Sequence, residues 1–442
     1  MYISIRIFFK HIFKRFCAAL VFALVASLLM GADAEKMGKE KSRIAYLHEY
    51  HSAVDLGKGT LESQFSLLEA DLADNVVFFT AENHGVNGNY VLRIAFLKYF
   101  KQKTDFRYIL AEMPHSGAHR LNQYLETTNE TILDDYYKSL KGTFVWSREG
   151  YDYWKDVCEF NKSLPQDRKL TVVGVDLEFQ WDVALQYIHA AMSNTKPPSE
   201  TKPILKELNS LLEEERPVGH KVKSFADRLK HSMTNKEAIH RRIFGDRYFD
   251  ICLVTDNILA TFQARKNVKR FNQLRDKQMF ENFLRIYPII EKGKFYDQWG
   301  LSHAFQSSQA GVKWFAANLA KDNRSPVKGK VLSIVYIYKN CKFMLRNRRK
   351  GTYSVQNLDT SGSDATVFQE YLTTRFTLFR LNGQNSPYNT KLIWPFIGEQ
   401  WGLGPPAQGV TTDYFQYLLV IKDSLANTPM YGNLSTHSET KG

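Results

Sequence analysis

Four short apolar runs, separated by stretches of helical periodicity and each leading to an acid or a histidine, constrain this chain more than any other feature. Asn75-Val-Val-Phe-Phe-Thr80 leads to Glu82 and His84, and Phe106-Arg-Tyr-Ile-Leu-Ala111 leads to Glu112. Lys169-Leu-Thr-Val-Val-Gly-Val175 leads to Asp176, and Gly293-Lys-Phe-Tyr296 reaches His303 after one short loop. Short apolar runs of this kind read as buried strands, and helical connections between them imply parallel pairing. The expected fold is α/β, a mostly parallel central sheet covered by helices. In such sheets ligands bind outside the carboxyl ends of the strands. Four ends bearing groups able to move protons therefore mark a candidate active site.

The periodicity divides the chain. Leu61, Phe65, Leu67, Leu68 and Leu72 suggest one helix before the first strand, and strand and helix alternate from 75 to about 183. After Lys196-Pro-Pro-Ser-Glu, the segment from Ile204 to about Pro288 is charged and carries helical spacing without good strands. It reads as a helical insertion between the third and fourth strands, capping the site. Lys330–Ile337, Phe376–Leu381 and Tyr414–Ile421 supply later strands, while 361–366 and 382–389 read as loops. The expected organisation is a signal peptide over 1–34, an α/β domain in two parts (35–183 and 291–425), the insertion over 184–290, and a polar tail over 426–442.

The N-terminus carries Arg6, Lys10, Lys14 and Arg15, then the apolar run Phe16–Met30, then Gly31-Ala-Asp-Ala34 and a strongly polar stretch. That order matches a cleaved secretory signal ahead of the alternative, an uncleaved N-terminal anchor, because the run is shorter than the roughly 20 residues of a spanning helix. An exported, periplasmic or secreted protein is expected, with no membrane association after cleavage. Removing 1–34 reduces the formal charge from +13 to +10. The excess is scattered rather than gathered with aromatics into a nucleic-acid surface, so no nucleic-acid partner is expected. Cys158, Cys252 and Cys341 remain, too few and too irregular for a disulfide scaffold or a zinc signature, and read as ordinary thiols.

Thr80-Ala-Glu-Asn-His-Gly85 is the strongest local signal. Were the strand to run through it, Glu82 and His84 would face one side. His84 is then the natural general base, with Glu82 orienting it, and Gly85 permits a tight turn or a close approach. Glu112 adds a second carboxylate and Asp176 a third, the latter equally readable as a helix cap. His303 follows a glycine turn, and Arg275-Asp276 lies on the last helix of the insertion, where an ion pair is the default. Two mechanisms suit this rim. One is metal-free hydrolysis with His84 activating water. The other uses Glu82, His84, Glu112 and His303 as ligands of a divalent ion. A non-catalytic exported binding protein with the same pocket is the reading from another class. Serine-nucleophile, phosphate-loop and dinucleotide motifs are absent.

The ordered motifs resemble the erythromycin esterase family. Glu82-Asn-His-Gly85 with Arg93 is similar to that family's opening block, and Leu110-Ala-Glu112 with Asn122-Gln-Tyr124 to its second. Trp146-Ser-Arg-Glu149, Gly174-Val-Asp176 and Arg275-Asp-Lys-Gln-Met279 with Asn282 resemble later blocks, in order over about 75–425. The resemblance implies hydrolysis of a small-molecule ester or lactone by activated water. It makes His84 the general base, with Glu82, Glu112 and His303 completing the catalytic set. Arg93, Trp146, Asp176 and Arg275 become binding or supporting residues, and macrolide resistance a conceivable biological role. One departure stands out. The family's Trp-Ala-His-Asn-x-His run is here Trp299-Gly-Leu-Ser-His303, which lacks one histidine and the asparagine.

Overall fold

The computed structural model describes residues 40–192, 198–215, 217–347, 352–396 and 404–431. The segment expected to be a signal peptide lies outside them. Strands β1 (His51–Val54), β2 (Val77–Glu82), β3 (Phe106–Pro114), β4 (Thr171–Asp176), β5 (Lys294–Gly300) and β6 (Val331–Lys339) are followed by a hairpin, β7 (Cys341–Asn347) and β8 (Thr352–Leu358). β9 (Phe376–Arg380) and β10 (Tyr417–Lys422) complete the described set. The main sheet has eight strands in the order β1-β9-β10-β6-β2-β5-β3-β4, and β7-β8 form a separate pair. From β10 to β4 every neighbouring pair is parallel, while β1-β9 and β9-β10 are antiparallel. The expected α/β fold is the fold observed.

Alternation along the central strands explains the layers. In β2, Phe78 joins the apolar cluster on one face, while Val77, Phe79 and Ala81 join the cluster on the other. Ile334, Tyr336 and Tyr338 of β6 likewise oppose Val335 and Ile337. Both faces are therefore covered, which is why these strands are apolar almost throughout. The helices Asn87–Lys103, His115–Thr127 and Arg148–Ser163 contribute to the first cluster, and Phe271–Ile286 with Phe315–Lys321 to the second.

Between β4 and β5 the chain is helical, from Trp181–Met192 through Tyr248–Lys266 to Phe271–Ile286. Most of this insertion packs on itself, around Leu185, Ile188, Leu208, Phe225, Leu229 and Ile258. Its last helix instead seats Met279, Phe280, Phe283 and Ile286 against the sheet, which brings Arg275 over the strand ends.

Several local expectations change. The single helix before β2 is broken into Leu61–Gln64, a 3-10 turn Ser66–Leu68 and Glu69–Leu72. Phe65 leaves helical geometry at the first break and is fully buried, stacked 4.3 Å from Phe96. Here tertiary packing overrides helical periodicity. The loop expected over 361–366 runs into a 3-10 helix, Ser363–Tyr371. Strands β1, β7 and β8 were not anticipated. The start of the expected polar tail is docked: Ala426 bridges Val86, Pro429 bridges Ser147, and the Thr428 N–H donates to Glu149. No helix among the described residues is long and apolar enough to cross a membrane. Cys158, Cys252 and Cys341 are free thiols.

Candidate active site

Four adjacent parallel strands, β2, β5, β3 and β4, end side by side, and their carboxyl ends carry the expected residues. Glu82 closes β2 opposite Gly300 of β5. Glu112 sits at an irregularity of β3, between the Ala111–Gly174 and Pro114–Asp176 pairings with β4. β2 does not run on through His84. A turn with Gly85 at φ +90 folds the chain back, and His84 Nδ1 meets Glu82 Oε1 at 2.8 Å. Glu82 Oε2 also accepts from Gln298 Nε2 at 3.0 Å. The close approach at Gly85 is to protein backbone. Its carbonyl accepts from the Met344 N–H of β7, and a Cβ there would lie 2.5 Å from the Met344 carbonyl oxygen.

Arg275 organises the opposite wall. Its Nε donates to Asp176 Oδ1 at 2.9 Å and its Nη2 to Glu112 Oε1 at 2.8 Å. Glu112 Oε2 accepts the Gly300 N–H at 2.8 Å. His303, on the 3-10 turn Leu301–Ala304, places Nδ1 2.8 Å from Asp276 Oδ1, which also accepts the Phe315 N–H. His303 Nε2 lies 3.1 Å from Arg275 Nη1 and 3.4 Å from Glu112 Oε1. A neutral ring accepts from the arginine; a charged ring donates to the carboxylate.

Burial works against a cation on His303, yet Asp276 and Glu112 outweigh it and raise its pKa above 6.5. Burial also opposes the Glu112 carboxylate, but His303, Arg275 and His84 overrule it and bring the pKa down to about 2. For His84, burial is again the largest influence and again loses, here to the Glu82 hydrogen bond and charge, so its pKa rises.

Two hollows meet over these groups. One of about 320 Å³ runs past Phe144, Phe179, Trp154 and Arg93, and the other of about 490 Å³ past Asn272, His303 and Trp314; both include Glu82, His84, Glu112, Arg275 and Gly300. A Cβ on Gly300 would lie 3.4 Å from both His84 Nε2 and Glu112 Oε2, so the imidazole and the carboxylate reach the same space. Asp276 Oδ2, Gln298 Oε1 and Trp314 Nε1 are buried around the site without a hydrogen-bond partner, the kind of orphan that marks functional ground.

Glu82, His84, Glu112, Asp176, Arg275 and His303 thus come together. Arg93 lines the inner hollow but is committed to Asp297, with Nε–Oδ1 and Nη2–Oδ2 both 2.7 Å, under the Tyr153 ring. Trp146 stands apart, buried between Tyr353 and Tyr431. Asp276, Gln298 and Gly300 escaped sequence reading as site residues; the adjacency of Asp276 to Arg275 was the available signal. The four residues considered as metal ligands do not fit an ion. Both oxygens of Glu82 and of Glu112 are engaged by protein donors, and Arg275 already fills the cation position beside Glu112 and Asp176. No group of three or more His, Cys, Asp or Glu among the described residues is arranged to hold a metal.

No family model matches the chain, and no curated protein matches it. Solved structures do. A Bacillus cereus protein superposes with a TM-score of 0.68 at 13% identity, over 89% of this chain and 99% of that one. A succinoglycan biosynthesis protein gives 0.62 at 13%, over 88% and 98%. A histidine-to-asparagine variant of the erythromycin esterase EreC, in its open conformation, gives 0.58 at 14%, over 82% and 94%. At these identities the likeness is one of fold: this chain has the α/β architecture found in an erythromycin esterase and in the other two proteins.

Proposed function

We propose that the protein is a hydrolase of carboxylic esters or lactones in which His84 activates water. The observation that carries this reading is the Glu82–His84 hydrogen bond, with His84 Nε2 and Glu112 reaching one space above Gly300. Glu82 accepts the Nδ1 proton, which leaves the Nε2 lone pair free to take a proton from water. The resulting hydroxide adds to the acyl carbon. Arg275 on the opposite wall supplies a fixed positive charge for the oxyanion. When the tetrahedral species collapses, the alcohol leaves with the proton held on His84, and an acid and an alcohol result. The fold shared with an esterase and the buried His303–Asp276 pair support the assignment. The N-terminal pattern supports export as part of the same proposal.

The test is mass spectrometry of a panel of simple esters and one macrolide lactone incubated with the protein or with His84→Ala. Gain of one water with the intact protein alone supports the reading. No gain with any substrate, or equal gain with both proteins, overturns it; binding without turnover would point instead to a non-catalytic binding protein.

A further inference from the structure

A third hollow, of about 1210 Å³, opens beside the inner one and shares Thr143, Phe179 and Gln180 with it. The Phe179 ring lines both. The Arg275 guanidinium carbon lies 5.8 Å from its centroid, and that of Arg265, which lines the outer hollow, lies 5.6 Å from it. Both guanidiniums therefore lie against one phenyl ring.

The outer hollow is rich in cations that have nothing anionic to hold. Arg93, Arg275, Arg285 and Arg324 each grip a carboxylate. Among the described residues Arg265, Arg346 and Lys141 grip none. Arg265 is exposed toward the hollow and lies over Phe179 and Trp181, and partial desolvation against these rings lowers its pKa. Arg346 packs over Gly142, where a Cβ would come within 2.8 Å of its Nη2, and its Nε is buried without a partner. The acids on the same walls, Asp182 and Glu215, form no ion pair with these cations, and Lys138 is taken by Asp135. Trp146, Trp181 and Tyr353 give the hollow an aromatic lining.

We propose that this hollow is an anchoring subsite for an anionic group at the far end of the substrate, so that the preferred substrates are esters carrying a carboxylate or a comparable anion beyond the scissile bond. Guanidiniums bind such groups through paired donors. Phe179 and the aromatic lining accommodate the apolar chain between anion and ester. The assignment rests on the esterase reading for the chemistry at His84, but the binding it describes stands without it.

The probes are 4-nitroanilides of straight-chain diacids, six to twelve carbons long and keeping one free carboxylate, each beside the matched monoacid anilide. Calorimetry is run on the full chain and on Arg265→Gln, Arg346→Gln and the double variant. The free carboxylate is expected to tighten binding at one or more chain lengths by about tenfold in the intact protein. The preference should vanish in the double variant and shrink as salt is added. Equal binding of the two anilides at every length, no binding of either, or a preference that survives in the double variant overturns the proposal. The corresponding 4-nitrophenyl esters separate the two readings. Carboxylate-selective binding without ester turnover keeps the anchor and removes the esterase; turnover without carboxylate selectivity does the reverse. Circular dichroism spectra and urea midpoints matching those of the intact protein show that the variants fold.

Discussion

His84 and His303 stand past the ends of neighbouring strands, β2 and β5, and both have a carboxylate on Nδ1 at 2.8 Å. Beyond that they differ. The His84 side chain is 39% exposed and its other nitrogen faces the hollow, whereas the His303 side chain is 10% exposed and its Nε2 lies against Arg275 and Glu112. The partners differ in the same sense: Asp276 is fully buried, while Glu82 keeps some exposure. A general base must exchange a proton with a bound molecule; a group that fixes the field around it must not. Under the proposed hydrolysis, the comparison gives the proton transfer to His84 and leaves His303 to hold the opposite wall in place.

Replacing each histidine with alanine should separate these roles. With His84→Ala, kcat/KM for a responsive ester should fall by about 10³-fold, with little change in the urea midpoint because a half-exposed side chain is removed. With His303→Ala, Asp276 loses its imidazole partner in a dry site. That variant should lose on the order of 3 kcal/mol of stability as well as activity. Matching unfolding curves for the two variants would break the comparison.

Arg275→Met comes next. It leaves Glu112 and Asp176 facing each other without their cation, and removing one member of a buried ionic network costs roughly 3–5 kcal/mol. The expected outcome is a large drop in the urea midpoint at pH 7, partly recovered by the second change Asp176→Asn. If Arg275→Met were as stable as the parent, the wall would not be held by that cation.

How much of this was legible in sequence follows the range of the interactions. Strand identity and fold class were readable because β2, β3, β4 and β6 are buried on both faces, and burial leaves an apolar run in the sequence itself. Glu82, Glu112 and Asp176 were readable as neighbours at the strand ends because they close those runs. The hairpin β7-β8 was not: Lys342, Arg346 and Asn347 interrupt its apolar residues, and its place is set by Met344 meeting Gly85. The contact between Glu82 and His84 was anticipated, though it arises from a turn and not from strand alternation. Asp276 was missed as a site residue because its partner lies 27 residues away. Trp146 was read from its motif as a binding or supporting residue, and its place in the outer hollow is set by Tyr353 of the unforeseen hairpin. Long-range pairings leave no local pattern to read.

The wall should also be sensitive to acid. Glu112 is held at about 2 in the folded protein against an ordinary value of 4.5. A lowered carboxylate pKa stabilises the folded state fully above the unfolded value, and that contribution is lost as pH falls through the folded one. Stability should therefore decline between about pH 4.5 and 2 by on the order of 2–3 kcal/mol from this group. Urea midpoints across that range, for the parent and for Glu112→Gln, measure it. The variant should be less stable at neutral pH and show a flatter acid dependence; parallel curves would mean that Glu112 is not the group held charged.

The smallest effect tests the most specific claim. Glu82 raises the pKa of His84 above 6.5, so the active neutral imidazole accumulates only above that value, and the rate should climb with pH through it. In Glu82→Gln the carboxylate charge is gone and the acid limb of the kcat/KM profile should move to lower pH. The plateau should also drop, by about tenfold, because a less basic imidazole without a fixed tautomer is a poorer base. The two changes oppose each other at low pH, where the variant has more of its imidazole in the neutral form. The deficit of the variant should accordingly be larger at pH 8.5 than at pH 5.5. A deficit that is constant with pH would mean that Glu82 does not set the charge state of His84, and the two histidines would then differ only in exposure.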